Sequence, residues 1–340
     1  MAEVAPGSAN TYVPTFSEAT GLVQVEFSRN PSSFALNQYS KLVPVSKDTG
    51  YYLSIDEQEQ ARVVTLSDWM WADGNDAPEG IQNDHEFTAY RTERHAPTFQ
   101  LGNKASSNAD FEIIAAHARM AASKCMRIRS YRASTVLTTS GNWVTGTTDT
   151  ATNVGGGKWQ GSSSANGYIQ KSFNGVVEAI LANTNEAVTA ADITCVMSDV
   201  TAHVITESPE YKDFFQGSPF AVNMVRGAGE FNEFLLLSQF FGVGGIIVDP
   251  TSRVTNRKGG TKARSRLYDD DVVFVSRVGG QMGTEGVPDF STLSIFAYED
   301  LTVETEDDTW NRRVRGRVVD DSAIVLTAPL SGYLLTDVWD

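Results

Sequence analysis

The residue types able to do covalent, metal or phosphate chemistry stand at spacings that do not support it. His85, His95, His117 and His203 show no H-E-x-x-H pattern, and Cys125 and Cys195 form no C-x-x-C pair, so the ligand spacing of a zinc site is missing. His117 and His203 read instead as packed or hydrogen-bonded helix residues. Gly155-Gly156-Gly157-Lys158 has Trp159 where a phosphate loop needs Ser or Thr, and Thr152 where it needs its first Gly. Gly227-Ala228-Gly229 and Gly242-Val243-Gly244-Gly245 do not complete G-x-G-x-x-G. Asp269-Asp270-Asp271 lacks the alternating ligands of a calcium loop and reads as a solvated turn. Ser162 to Ser164 stand in a Gly/Ser stretch with no G-x-S-x-G elbow. No catalytic, cofactor or metal residue is assigned, and the chain is read as a non-enzyme.

The remaining candidates suit contact between proteins. Trp69 and Trp71 lie in a turn-rich stretch, Asp68 to Gly80, where an uncovered indole is unfavourable. They either fold back onto their own subunit or are covered by a neighbour. Lys258, Lys262, Arg264 and Arg266 surround Gly259-Gly260. They read as a basic patch meeting acidic surface on another copy, or as an inward loop near DNA. Arg127, Arg129 and Arg132 do not share one helical face and read as a solvated, salt-bridging surface.

Bulk composition narrows the class. The 340 residues are 41% hydrophobic and 20% charged, ordinary for a packed globular chain. No apolar run nears the roughly 20 residues that cross a bilayer, so no membrane is expected. The opening, MAEVAPGSANTYVP, lacks a basic then apolar leader, which predicts synthesis and retention in a cytoplasm. The two cysteines then read as buried thiols. Lys and Arg number 27 against 42 Asp and Glu, a net charge of −15. Such a chain repels phosphate on average and is no general nucleic-acid binder.

The elements that would position these residues form an α+β series. Residues 1–40 read as a polar arm with short structured pieces. Strand-like runs at Tyr51 to Ile55, Arg62 to Leu66 and Glu86 to Tyr90 predict a long β-ribbon with an elaborated tip. Ser107 and Asn108 can cap a helix in which Phe111, Ile114, Ala115, Ala118, Ala122, Cys125 and Met126 recur at helical spacing to about Leu137. Its alanine face, Ala115, Ala118 and Ala122, is expected to pack closely. Thr138 to Gly167 reads as a loop laid over a surface by Trp143 and Trp159. Helices and short buried strands alternate over 168–250, with helix starts at Ser198-Asp199 and Ser208-Pro209. Strands dominate the rest.

This order of elements resembles the tailed-bacteriophage major capsid protein fold, which encapsulins share. The likeness runs from about Lys41 to Val338. It rests on Val43-Pro44-Val45-Ser46-Lys47 with Gly50-Tyr51-Tyr52, on Asn108-Ala109-Asp110 and on Thr189-Ala190-Ala191-Asp192-Ile193. Ser208-Pro209-Glu210-Tyr211, Phe241-Gly242-Val243 leading to Ile246-Ile247-Val248, and Ala328 to Tyr333 add to it. The resemblance implies an N-terminal arm (1–40), an extended β-ribbon (41–100), a peripheral domain with a long spine helix (101–137 and 292–320) and an axial α/β domain (138–291 and 321–340). It implies a virion capsid protein that assembles with itself into hexamers and pentamers of an icosahedral shell around double-stranded DNA, bound without sequence specificity. A portal, a separate scaffold protein and a decoration protein are the implied partners. No residue pair maps onto the Lys–Asn crosslink that some relatives form. Two rivals stand beside this reading: an encapsulin-type compartment, and a β-rich hydrolase or carbohydrate-binding protein.

Overall fold

The computed structural model describes residues 29–55, 85–104, 113–217, 238–256, 260–261, 263–278 and 290–339. In chain order, α1 (Leu36–Tyr39) and β1 (Lys41–Pro44) precede a two-stranded ribbon of β2 (Thr49–Ile55) and β3 (His85–Arg91). β4 (Glu93–His95) and β5 (Thr98–Gly102) lead to the long helix α2 (Ile113–Thr138). Then come β6 (Thr148–Thr150), α3 (Ala151–Gly155), α4 (Tyr168–Asn183), β7 (Ile193–Ser198), α5 (Asp199–Glu207), α6 (Pro209–Gly217) and α7 (Ser238–Phe241). β8 (Gly245–Asp249), β9 (Ser252–Val254), β10 (Arg264–Arg266), β11 (Val272–Val278) and β12 (Phe290–Ser291) follow. The chain closes with β13 (Leu293–Asp308), β14 (Arg313–Leu326) and β15 (Tyr333–Thr336).

Two sheets organise these elements. The first runs β6-β15-β11-β7-β8 and is mixed: β7 and β8 are parallel, as are β15 and β6, while β11 opposes both its neighbours. Its central strands β15, β11 and β7 are apolar on both faces, as a sheet covered on both sides requires. Cys195, Met197, Val272, Phe274 and Leu335 pack with Ile169, Phe173, Val176 and Ile180 of α4. The alternate residues Val196, Val273, Val275 and Leu334 pack with Leu36 and Tyr39, and with Ala133 and Leu137 at the end of α2. Ala35, Leu36 and Tyr39 of the expected arm are therefore part of this core. Trp159 is fully buried and Trp143 nearly so, which fixes the Gly/Ser-rich loop to the body. Both cysteines are buried free thiols.

Local capping follows the sequence. Ser198 Oγ accepts from Thr201 N at 3.1 Å and Ser208 Oγ from Tyr211 N at 3.3 Å. The N-terminus of α4 is closed from α6: buried Glu210 accepts from the amides of Ile169 and Gln170, both at 3.1 Å, and from the Ser162 hydroxyl. A carboxylate at that end satisfies free amides and meets the helix dipole favourably.

The second sheet is built on the β13–β14 hairpin, with β1 parallel to β13 and both β4 and β5 along β14. Leu293-Ser294-Ile295-Phe296 and Leu301-Thr302-Val303 read in sequence as two short strands separated by Glu299-Asp300. They are one strand of 16 residues, with register shifts between Ala297 and Thr302, where Leu301 holds a left-handed φ of 49°. β14 runs unbroken across residues 320 and 321.

Helix α2 lies against this hairpin, and Ala122 and Cys125 of the expected stripe pack there with Val318 and Leu301. Ile113, Ala116, Ala121, Cys125, Met126, Arg129, Ala133 and Leu137 are buried. Ala115, Ala118 and Ala122 are half-buried. Arg129 is the sharper correction, because it is 3% exposed and not part of a solvated surface. Its Nε donates to Asp320 Oδ2 at 3.1 Å and its Nη2 to Asp300 Oδ1 at 2.7 Å. Asp320 is completely buried. This ionic group sits along α2 between two apolar clusters, one around Cys125 and Val318 and the other around Ala133, Leu137 and Ile295.

Candidate assembly surfaces

The ribbon is the first surface. β2 and β3 pair antiparallel from Thr49 opposite Arg91 to Ile55 opposite His85. Directly paired residues share a face, so Tyr52, Thr88 and Tyr90 point one way and Tyr51, Phe87 and Ala89 the other. The first face is held to the body: the rings of Tyr90 and Tyr52 stack on Phe296 of β13 at 4.3 and 6.0 Å between centroids. Gly50 makes this possible, since a Cβ there would lie 2.6 Å from the Tyr90 hydroxyl. The second face is open, with Tyr51 72% and Phe87 67% exposed. A two-stranded ribbon is marginal alone, and two uncovered aromatic rings on it mark a contact face.

The tip of the β13–β14 hairpin is the second. Glu304, Glu306 and Asp308 stand opposite Arg317, Arg315 and Arg313. Arg317 pairs with Glu304, while Arg313 and Arg315 both reach Asp308, at 3.0 and 2.8 Å. Hydrogen bonds from Asn311, then from Arg313, hold the Asp308 carboxyl below its usual range. Gln100 of β5 lines a groove here with Glu304, Glu306, Arg313, Arg315 and Arg317. At the turn, Trp310 is 93% exposed.

The β9–β10 hairpin is the third. Arg264 is exposed and pairs in register with Val254. Arg266 is engaged within its own chain, donating to the Pro250 carbonyl at 2.9 Å and pairing with Asp199. The guanidinium of Arg253 lies 4.4 Å from the ring centre of Tyr131 on α2. Lys258 and Lys262 lie outside the described residues, as do Trp69 and Trp71.

The exposure of the Tyr51, Phe87 and Trp310 rings, and the pairing of Arg129 with Asp320 and Asp300, were not anticipated from sequence. The signal for the ribbon was present in Gly50-Tyr51-Tyr52-Leu53, where aromatic residues occupy both phases of the alternation and leave no wet side. Trp310, in the polar run Asp307-Asp308-Thr309-Trp310-Asn311-Arg312, carries the same signature as Trp69 and Trp71. Among the described residues no group of His, Cys, Asp or Glu could hold a metal ion, and no helix is long and apolar enough to cross a membrane.

No family model matches the sequence, and no curated protein matches it either. Solved structures do match. A phage-related protein from Bordetella bronchiseptica RB50 superposes with a TM-score of 0.63 at 13% identity, over 90% of this chain and 93% of that one. A chain of the mature capsid of bacteriophage PhiM1 superposes at 0.57 and 12% identity, over 99% and 96%. A chain of the capsid of cyanophage P-SCSP1u gives 0.55 and 9%, over 96% and 93%. The chain thus has the α+β fold of tailed-phage capsid subunits along nearly its whole length, as the order of elements predicted.

Proposed function

We propose that this chain is the major capsid protein of a tailed bacteriophage, a structural subunit that assembles with copies of itself into hexamers and pentamers of an icosahedral shell around double-stranded DNA. One observation carries the reading: a chain of a mature phage capsid shares its fold over 99% of this chain, with almost nothing left over in either. The open aromatic face of the ribbon supports it. A protein that functioned alone would leave Tyr51 and Phe87 in water, whereas covering a ring such as Phe87 contributes about 1.5–3 kcal/mol. In a closed shell that gain recurs by symmetry at every subunit.

On this reading 101–137 with 292–320 forms the peripheral domain, 138–291 with 321–340 the axial domain, and the ribbon reaches a neighbour. Trp69, Trp71, Lys258, Lys262, Arg264 and Arg266 belong to the contacts between copies. Portal, scaffold and decoration proteins are the further partners, and packaged DNA is met through charge without reading of sequence. The site of action is the virion, after synthesis in a host cytoplasm.

The test is the double variant Tyr51→Ser with Phe87→Ser. The ribbon's inner face is untouched, so the subunit should keep its melting temperature and lose shell yield in light scattering. Normal shell yield from the variant removes the ribbon face from the assembly contacts.

A further inference from the structure

Opposite charges are sorted into two separate hairpins of this chain. Residues 250–266 hold Arg253, Arg257, Lys258, Lys262, Arg264 and Arg266 with no acid among them. Residues 299–308 of β13 hold Glu299, Asp300, Glu304, Glu306, Asp307 and Asp308 with no base. Several of these charges are engaged at home: Arg266 with Asp199, Asp300 with Arg129, and Glu304 and Asp308 with the arginines of β14. Arg264, Glu306 and Asp307 are exposed. Among the described residues none of the three has an ion-pair partner.

Each hairpin also carries a half-exposed valine beside its free charge. Val254 is 53% exposed and stands directly opposite Arg264, so the two share a face. Val303 is 50% exposed, and strand alternation puts Val303, Thr305 and Asp307 on one face of β13. β14 pairs with one edge of β13 over residues 302–308, while β1 takes the other edge only at 294–297. Among the described residues the edge beside Val303 is therefore open, and such an edge accepts a further chain.

Within one subunit the two surfaces stand towards opposite ends of α2. Arg253 packs on Tyr131 of that helix. β5, which flanks the acidic hairpin along β14, meets the helix at His117 through Phe99, with ring centres 6.2 Å apart. These two helix positions lie about 21 Å apart along the axis. Pairing the surfaces takes two copies.

We propose that the basic β9–β10 hairpin of one subunit docks on the acidic outer face of β13 of a second copy, with Val254 against Val303 and Arg264 against Asp307. The inference rests on the shell reading and adds to it the partner of one surface. The valines supply an apolar centre, and the opposite charges around them fix the register and exclude like-charged pairings. The contact is head-to-tail, because each subunit gives its hairpin to one neighbour and receives another's on β13. Contacts of this kind close into rings, the form a capsomer needs. A nucleic acid would satisfy the arginines but would leave both valines and the acids uncovered.

Cysteine crosslinking tests the docking. Cys125 and Cys195 are buried, so a thiol introduced on the surface reacts selectively. Val254→Cys and Val303→Cys chains, mixed in equal amounts at moderate ionic strength and treated with a short bismaleimide, should give a crosslinked dimer. Neither chain alone should give one. Arg264→Glu added to the Val254→Cys chain should lower the dimer yield several-fold, and Asp307→Arg added to the Val303→Cys chain should restore it. No dimer from the mixture, equal dimer from either chain alone, or a yield indifferent to Arg264→Glu overturns the docking. A dimer that disappears after nuclease treatment assigns the hairpin to nucleic acid and overturns it too. Electron microscopy of the same mixture separates the two readings. Shells without the crosslink keep the shell and remove the docking, whereas crosslinked dimers without shells do the reverse.

Discussion

Arg129→Met isolates the buried ionic group that joins helix α2 to the β13–β14 hairpin. Methionine keeps the bulk of the stem and removes the guanidinium. Asp320, completely buried, then loses both bonds from Arg129, and Asp300 loses its 2.7 Å partner. Asp300 is 45% exposed and can turn to water, whereas Asp320 cannot. The loss therefore comes almost wholly from one stranded anion, and breaking a buried pair in this way costs about 3–5 kcal/mol. Arg129→Met with Asp320→Leu removes the stranded charge along with the pair, and such apolar replacements are often neutral. Urea denaturation of the unassembled subunit across the four members of this cycle should give a large loss for the single variant and recovery in the double. An Arg129→Met loss below about 1 kcal/mol, the level of an exposed pair, or strict additivity across the cycle, would refute the reasoning.

Two further perturbations act elsewhere. At Gly244 a Cβ would lie 1.7 Å from the backbone carbonyl oxygen of Ala191, so Gly244→Ala should force β7 and β8 apart, costing at least the upper part of the about 1–3 kcal/mol range for overpacking. Gly161→Ala, where a Cβ meets nothing within 4 Å, should leave thermal denaturation unchanged. Lys262→Glu with Arg264→Glu should lower shell yield at moderate salt, where long-range repulsion between subunits at −15 is screened to about 8 Å. Light-scattering curves that coincide with wild type across a salt series would take the β9–β10 loop out of the subunit contacts.

The order of elements was legible because each announces itself locally. Ser198 and Ser208 cap helices where their types predict, and the β7, β8 and β11 runs are too apolar for anything but a covered sheet. The burial of Arg129 on α2 was not legible. The alanine stripe placed Ala122 correctly beside Cys125 and Val318, but an arginine at the same spacing reads as solvated because arginine is almost never fully buried unless paired. What decides is the partner: Arg129 faces inward because Asp320 and Asp300 wait there, 191 and 171 residues away along the chain. The same dependence hid the length of β13. Glu299-Asp300 reads as a break, yet the strand absorbs it as an irregularity in register whose acid Arg129 holds. The open ribbon face was missed for the opposite reason. Its exposed rings look like core residues in sequence and become contacts only once Tyr52 and Tyr90 are seen to have taken the inner face.

The central claim is that these subunits close into a shell. Electron microscopy of the purified chain, concentrated at moderate ionic strength with a scaffold protein supplied if it remains unassembled, tests it most directly. Closed particles of uniform diameter built from ring-shaped capsomers are the expected result. A protein that stays monomeric at every concentration, with and without scaffold, contradicts it.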